Sequence, residues 1–86
     1  MYAVVLGRAA AQSFGRAPAS LQKKLDRCFI HLANDPRRHN NIKPPKGRFS
    51  GYLRFRVGEF RVIYRIDDVS AQVVIIDIAD RKDAYE

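Results

Sequence analysis

The chain has a single cysteine, Cys28, which excludes an intrachain disulfide and fits a reducing cytoplasm. No run approaches the ~18 consecutive apolar residues of a membrane span, so no membrane association is expected. The opening MYAVVLG is too short for a secretory leader and reads as a strand. Two histidines, His31 and His39, stand far apart without Cys or Glu at ligand spacing, and they make no metal site. A GxxxxGK[ST] loop is missing, so use of a nucleoside triphosphate is unsupported, and no cofactor is expected. No repeat or low-complexity tract divides the 86 residues, which suit a single domain over 1–86.

Negative charge is also scarce. Nine Asp and Glu stand against sixteen Lys and Arg, a formal net charge of +7. The excess is concentrated. Between Lys43 and Arg65 seven cations meet one acid, Glu59, whereas Asp67 to Glu86 holds six acids and two cations, Arg81 and Lys82. A basic stretch of this kind suits a surface that meets phosphates, and self-repulsion makes it costly without a polyanionic partner. What is present in quantity is apolar: 47% of residues, including nine aromatics, enough for one core. At this length the fold buries only a little over ~60% of the surface its unfolded chain exposes, so its margin of stability is thin.

Tyr2 to Leu6 is β-rich and ends at Gly7. Arg8 to Phe14 reads as a short helix closed by Gly15, and Pro18 suits the first turn of a second helix. Leu21, Leu25, Cys28, Phe29 and Leu32 then form one apolar stripe at helical spacing, which makes Cys28 a core residue and leaves His31 at the rim or facing a partner. The dipeptide before Pro36 stops this helix. Arg37 to Gly51 is loop by composition, with His39 a solvated member that could also touch RNA. In YLRFRVGEFRVIYRI, Tyr52 to Ile66, two alternating runs flank Gly58-Glu59. Gly at the first position of a two-residue loop is the type II′ hairpin signature. It pairs Val57 with Phe60, Phe55 with Val62 and Leu53 with Tyr64 on an apolar face. On the other face it sets Arg56 against Arg61 and Arg54 across from Ile63, with Arg65 nearby. Asp67 and Asp68 begin a turn, and Val73 to Ala79 is an apolar run typical of an interior strand. The reading is α+β, β-α-α-β-β-β: an N-terminal helical hairpin packed on one face of a small, mostly antiparallel four-stranded sheet.

Like charges directly opposite on a sheet destabilise it, so Arg54, Arg56 and Arg61 make an anion-binding face the natural inference. The guanidinium fork takes two phosphate oxygens at once. The competing reading has these arginines splayed into water or paired with Asp80 or Asp83. Lys43, Lys46, Arg48, Arg65 and Lys82 extend the surface as RNA-binding candidates. Tyr85, placed beside the last strand, is a candidate general base. Neighbouring arginines favour its phenolate, which would take the proton of a ribose 2′-hydroxyl as that oxygen attacks its own 3′-phosphate. Arg81 would stabilise the phosphate or the leaving oxygen. The plainer alternative for Tyr85 is a flexible terminal residue or one that stacks on a base.

KPPKGRFSGYLRFRVGEFRVIYRI, Lys43 to Ile66, resembles the signature of the RelE/ParE toxin superfamily, and the closing IADRKDAY is similar to that family's last strand and basic tail. The resemblance spans essentially the whole chain. It implies a toxin that binds the ribosomal A site and cleaves mRNA there without a metal. It also implies a helical, RelB-like cognate antitoxin that wraps the basic surface in a hetero-oligomer. On this resemblance Arg61 matches the hairpin's second-strand arginine, Arg81 the arginine after the last strand, and Tyr85 the terminal tyrosine. Arg54 and Arg56 stand where such enzymes often have lysines. Because arginine does not deprotonate in proteins, the base role falls to Tyr85. Ala79-Asp80-Arg81 replaces a frequent Gly-His-Arg. Two alternatives remain open: a ParE-like inhibitor of DNA gyrase, and an RNA-binding module without chemistry. The latter should expose sheet aromatics to stack bases, whereas the hairpin's aromatics fall mostly on the core side.

Overall fold

The computed structural model describes residues 1–43 and 51–80. Strand β1 (Ala3–Leu6) is followed by helices α1 (Arg8–Arg16) and α2 (Ala19–Asn34), and then by β2 (Ile42–Lys43), β3 (Leu53–Val57), β4 (Phe60–Asp67) and β5 (Gln72–Asp80). The fold is α+β, with both helices on one face of a sheet ordered β1-β5-β4-β3-β2. β1 pairs parallel with β5 and every other pairing is antiparallel. No helix among the described residues is long and apolar enough to cross a membrane.

The hairpin has the expected register: Val57 opposite Phe60, Arg56 opposite Arg61, Phe55 opposite Val62, Arg54 opposite Ile63 and Leu53 opposite Tyr64. Its turn depends on Gly58, whose φ of 58° lies in the left-handed region, while Glu59 keeps a negative φ. One positive φ at the first loop position is the type II′ pattern, which matches the twist of the flanking strands. Phe55, Val57, Val62 and Tyr64 are buried against Leu25, Cys28 and Leu32 of α2, with Ala10 of α1 and Val73, Ile75 and Ile78 of β5 completing the core. Full burial of an aliphatic side chain contributes about 1.5–3 kcal/mol, so this inner layer accounts for most of the fold's stability. Gly7 lets the chain leave the sheet close to β5. Its N–H donates to the Ile75 carbonyl at 2.8 Å, and a Cβ there would meet that oxygen at 3.2 Å.

Several expectations need correction. The sheet has five strands rather than four, because Ile42 and Lys43, inside the segment read as loop, pair with Phe55 and Arg54. Helix α1 does not close at Gly15 but runs one residue further, to Arg16. Pro18 caps α2 from outside instead of occupying its first turn. The last strand is irregular: Ile63 lies opposite Asp77 and Tyr64 opposite Ile75, so Ile76 is an extra residue in β5. Such a bulge reverses which side chains face the core on either side of it. It keeps Val73, Ile75 and Ile78 all inside, and it sends Asp77 to the outer face.

Candidate nucleic-acid interface

The outer face of the sheet is ordered in rows by the strand registers. One row runs Lys43, Arg54, Ile63, Asp77 across β2 to β5, and its neighbour runs Arg56, Arg61, Ala79. Lys43, Arg54, Arg56 and Arg61 converge with Asn40 and Asn41 around a depression of about 150 Å³. Arg54 and Arg61 are half-buried, while Lys43 and Arg56 are exposed. Ile63 lies on this polar face yet is only 3% exposed. Its neighbours in the row are Arg54 and Asp77, and long arginine stems cover apolar surface while their charged ends reach water.

The segment that carries Asn40, Asn41 and Lys43 is held from the core outward. Tyr64, fully buried, donates its hydroxyl to the Pro36 carbonyl at 2.6 Å. Burial pushes this phenol well above its ordinary pKa, so it stays a neutral donor. One residue on, Arg37 pairs with Asp68 at 2.8 Å and donates to the Tyr2 hydroxyl at 3.2 Å, while Tyr2 donates to Asp68 at 2.6 Å. The Tyr2 and Arg37 hydrogen bonds hold the Asp68 carboxyl below the usual range. At the sheet edge Asn41 grips β3 twice: its carbonyl accepts from the Arg56 N–H and its side-chain amide donates to the Arg56 carbonyl, each at 3.0 Å. The Arg56 guanidinium is drawn toward the turn, where its Nε–H donates to the Gly58 carbonyl at 3.3 Å. Arg56 is thus held through its backbone by Asn41, in a segment whose start is tied to buried Tyr64 at Pro36.

Of the residues expected to form the site, the structure gathers Lys43, Arg54, Arg56 and Arg61. Arg65 is exposed on the same face, but lies four residues from Arg61, about 13 Å along an extended strand. It acts on Asp67 instead, helping the stronger Ser70 hydrogen bonds to lower that carboxyl's pKa. Lys46, Arg48, Arg81, Lys82 and Tyr85 lie outside the described residues, and so does Asp83. Three residues were missed. Asn40 and Asn41 enter because of the short strand β2. Asp77 enters because of the bulge, so the outer face carries one acid that the plain alternation of β3 and β4 does not reveal. Asp80, by contrast, lies opposite Phe60 and lines a separate cavity on the helix side with Arg16, Leu21 and Ile78.

Both histidines are engaged. The His31 Nε2–H donates to the Arg38 carbonyl at 2.8 Å, and the Asn41 N–H donates to His39 Nδ1 at 3.0 Å. His39 is an exposed loop residue, as expected, and its ring is also engaged. Its ring lies 4.7 Å from that of Phe55 and 4.8 Å from that of His31. Cys28 is buried and its thiol is pushed up to about 12 by desolvation, which leaves it protonated and inert at neutral pH. Among the described residues no three His, Cys, Asp or Glu side chains gather as metal donors.

Residues 6–85 match the family model described as the ParE toxin of the type II toxin–antitoxin system parDE. The chain is 34% identical over 85 residues to Toxin RelE of Mycobacterium tuberculosis, covering 98% of this chain and 86% of that protein. Among solved structures it is similar to a RelBE toxin–antitoxin complex from the same organism, with a TM-score of 0.78, 26% identity, and 93% and 98% of the two chains covered. An archaeal RelE–RelB complex from Pyrococcus horikoshii has the same fold, with a TM-score of 0.80 at 19% identity over 96% and 98% of the two chains.

Proposed function

This chain belongs to the RelE/ParE superfamily of type II toxin–antitoxin toxins, and from that premise we propose that it is an mRNA endonuclease acting in the ribosomal A site. The observation that carries the reading is the convergence of Lys43, Arg54, Arg56 and Arg61 on one depression in the outer face. Four cations held by a rigid sheet edge form a preorganised site for phosphodiester oxygens, and such a site is worth most where negative charge builds up in the transition state. Arg56 and Arg61, directly opposite each other, suit the two non-bridging oxygens of one phosphate.

The reaction is internal transesterification. A base removes the ribose 2′-hydroxyl proton, the 2′-oxygen attacks the adjacent phosphorus, and the 5′-oxygen leaves with a proton. This yields a 2′,3′-cyclic phosphate and a 5′-hydroxyl. Arginine does not serve as the base. Tyr85 fills that role, and Arg81 stabilises the charge on the phosphate or the leaving oxygen. The cationic groups supply the charge neutralisation, so the step as written involves no metal ion. The partner in the cell is a cognate antitoxin, as in the RelE–RelB complexes that share this fold, and its docking neutralises the basic face. Action on the translated message places the protein in the cytoplasm.

The ParE description of the matching family model favours one other reading, inhibition of DNA gyrase. Expression without the antitoxin, followed by primer extension on a translated message, separates the two. Cuts at codon positions that disappear with Arg61→Ala or Tyr85→Phe are the expected result. Intact message with broken DNA, or undiminished cutting by both variants, would overturn the nuclease reading.

A further inference from the structure

A second cleft lies around the sheet edge from the basic depression. It has a volume of about 370 Å³, within the range of small-ligand sites, and sits between α2 and the end of β3. It lies where the covering of the β3 edge runs out: β2 pairs with Arg54 and Phe55 and Asn41 bonds to Arg56, and the cleft opens beside Val57 and Gly58. On one side Lys24, Arg27 and His31 line it from α2. Their spacings of three and four residues put them on a single helical face. On the other side stand Arg56 and Gly58, and the floor is apolar, formed by Cys28, Phe55 and Val57.

Three observations bear on what it holds. First, Lys24, Arg27 and Arg56 give it three positive charges, and none of the described residues lining it is acidic. Second, His39 is exposed and its ring is braced against Phe55 and His31, a platform of the kind on which unpaired bases stack. The Asn41 N–H donates to His39 Nδ1 at 3.0 Å, which helps fix the orientation of the ring. Third, the two depressions adjoin: Arg56 and Asn41 line both of them. A strand leaving the basic groove past Arg56 enters this cleft next.

We propose that the cleft is a second RNA subsite, which binds one nucleotide flanking the strand segment in the groove, its phosphate among Lys24, Arg27 and Arg56 and its base against His39. The proposal rests on the nuclease reading and extends it, since RNA would be gripped on both sides of the sheet edge.

The test measures binding of 2′-O-methyl oligouridines of three to ten nucleotides to the purified full chain. These ligands lack the attacking hydroxyl and are not cleaved. Wild-type affinity should rise with length until both depressions are filled. Lys24→Ala combined with Arg27→Ala should weaken the decamer about tenfold and lower its salt slope by about 0.7, the contribution of one phosphate on a single strand, leaving the trimer within twofold. His39→Ala should weaken the decamer several-fold and His39→Tyr should restore it, because an aromatic ring is retained. Arg61→Ala should weaken every length. Matched urea midpoints establish that the variants are folded. Cleft variants that bind the decamer like wild type, with Arg61→Ala still defective, would overturn the subsite and leave the nuclease reading standing. The same holds if they lose only the antitoxin, which would make the cleft a protein-binding surface. No measurable binding at any length, or no effect of Arg61→Ala on it, would overturn the subsite, whereas the nuclease reading stands or falls separately with primer extension on a translated message.

Discussion

The inner and outer faces of the β3–β4 hairpin share one register and differ in what their side chains do. Inside, Phe55 faces Val62 and Leu53 faces Tyr64, with Phe55, Val62 and Tyr64 sealed against α2. Outside, the alternate positions of the same strands set Arg56 against Arg61 in one row and Lys43 beside Arg54 in the next, with Asp77 at the far end of the second. The inner face holds the fold together, whereas the outer face gathers cations around one depression. An arrangement that only needed to fold would not repeat arginine at those positions. The division also means that the two roles are separable by substitution.

The largest effect on stability belongs to the inner face. Leu25→Ala removes a side chain with no exposure and should lower unfolding stability by about 2–5 kcal/mol in urea titrations. Next is the hinge between the faces. Tyr64→Phe leaves the Pro36 carbonyl without its donor, at about 1–3 kcal/mol. It should also weaken RNA binding, because the segment bearing Asn41 and Lys43 loses its anchor. A Tyr64→Phe variant with full affinity would show that the outer face is positioned independently of the core.

The alkaline limb sharpens the comparison by pH. Cys28 and Tyr64 both have raised values in the fold, so the unfolded chain ionises first. The stability they contribute is complete below about 9 and is lost as pH rises from there toward 12. Cys28→Ala should make this decline shallower between pH 9 and 11, as followed by circular dichroism. The smallest stability effect belongs to the outer face. Arg56→Ala should move the unfolding free energy by less than about 1 kcal/mol, since Arg56 is an exposed side chain outside the core.

The hairpin was legible in the sequence because two strong local signals agree: strict alternation on both sides, and a glycine where the turn needs positive φ. Helix α2 was legible because Leu25, Cys28 and Leu32 share one stripe. Three features were not legible. Strand β2 is two residues long, and its pairing is decided by tertiary anchors at Pro36 and Arg37 rather than by local propensity. The bulge at Ile76 comes at the end of four consecutive apolar residues, Val73 to Ile76, that suit either phase and so hide the shift that turns Asp77 outward. The histidine cleft joins α2 to a segment beyond its end, so neither His31 nor His39 signals it alone. For the site, the arginine positions followed from register, whereas the asparagines that secure Arg56 did not.

The account turns on the outer arginines acting on phosphate rather than on folding. The direct test is single-turnover cleavage of a ribosome-bound message by wild type and by Arg61→Ala, with urea midpoints measured on the same preparations. A fall of about 10²–10³ in rate for the variant, with RNA bound at saturation and an unfolding midpoint close to wild type, is the result expected from loss of transition-state charge stabilisation. An unchanged rate, or a loss of rate that only follows unfolding, would contradict it.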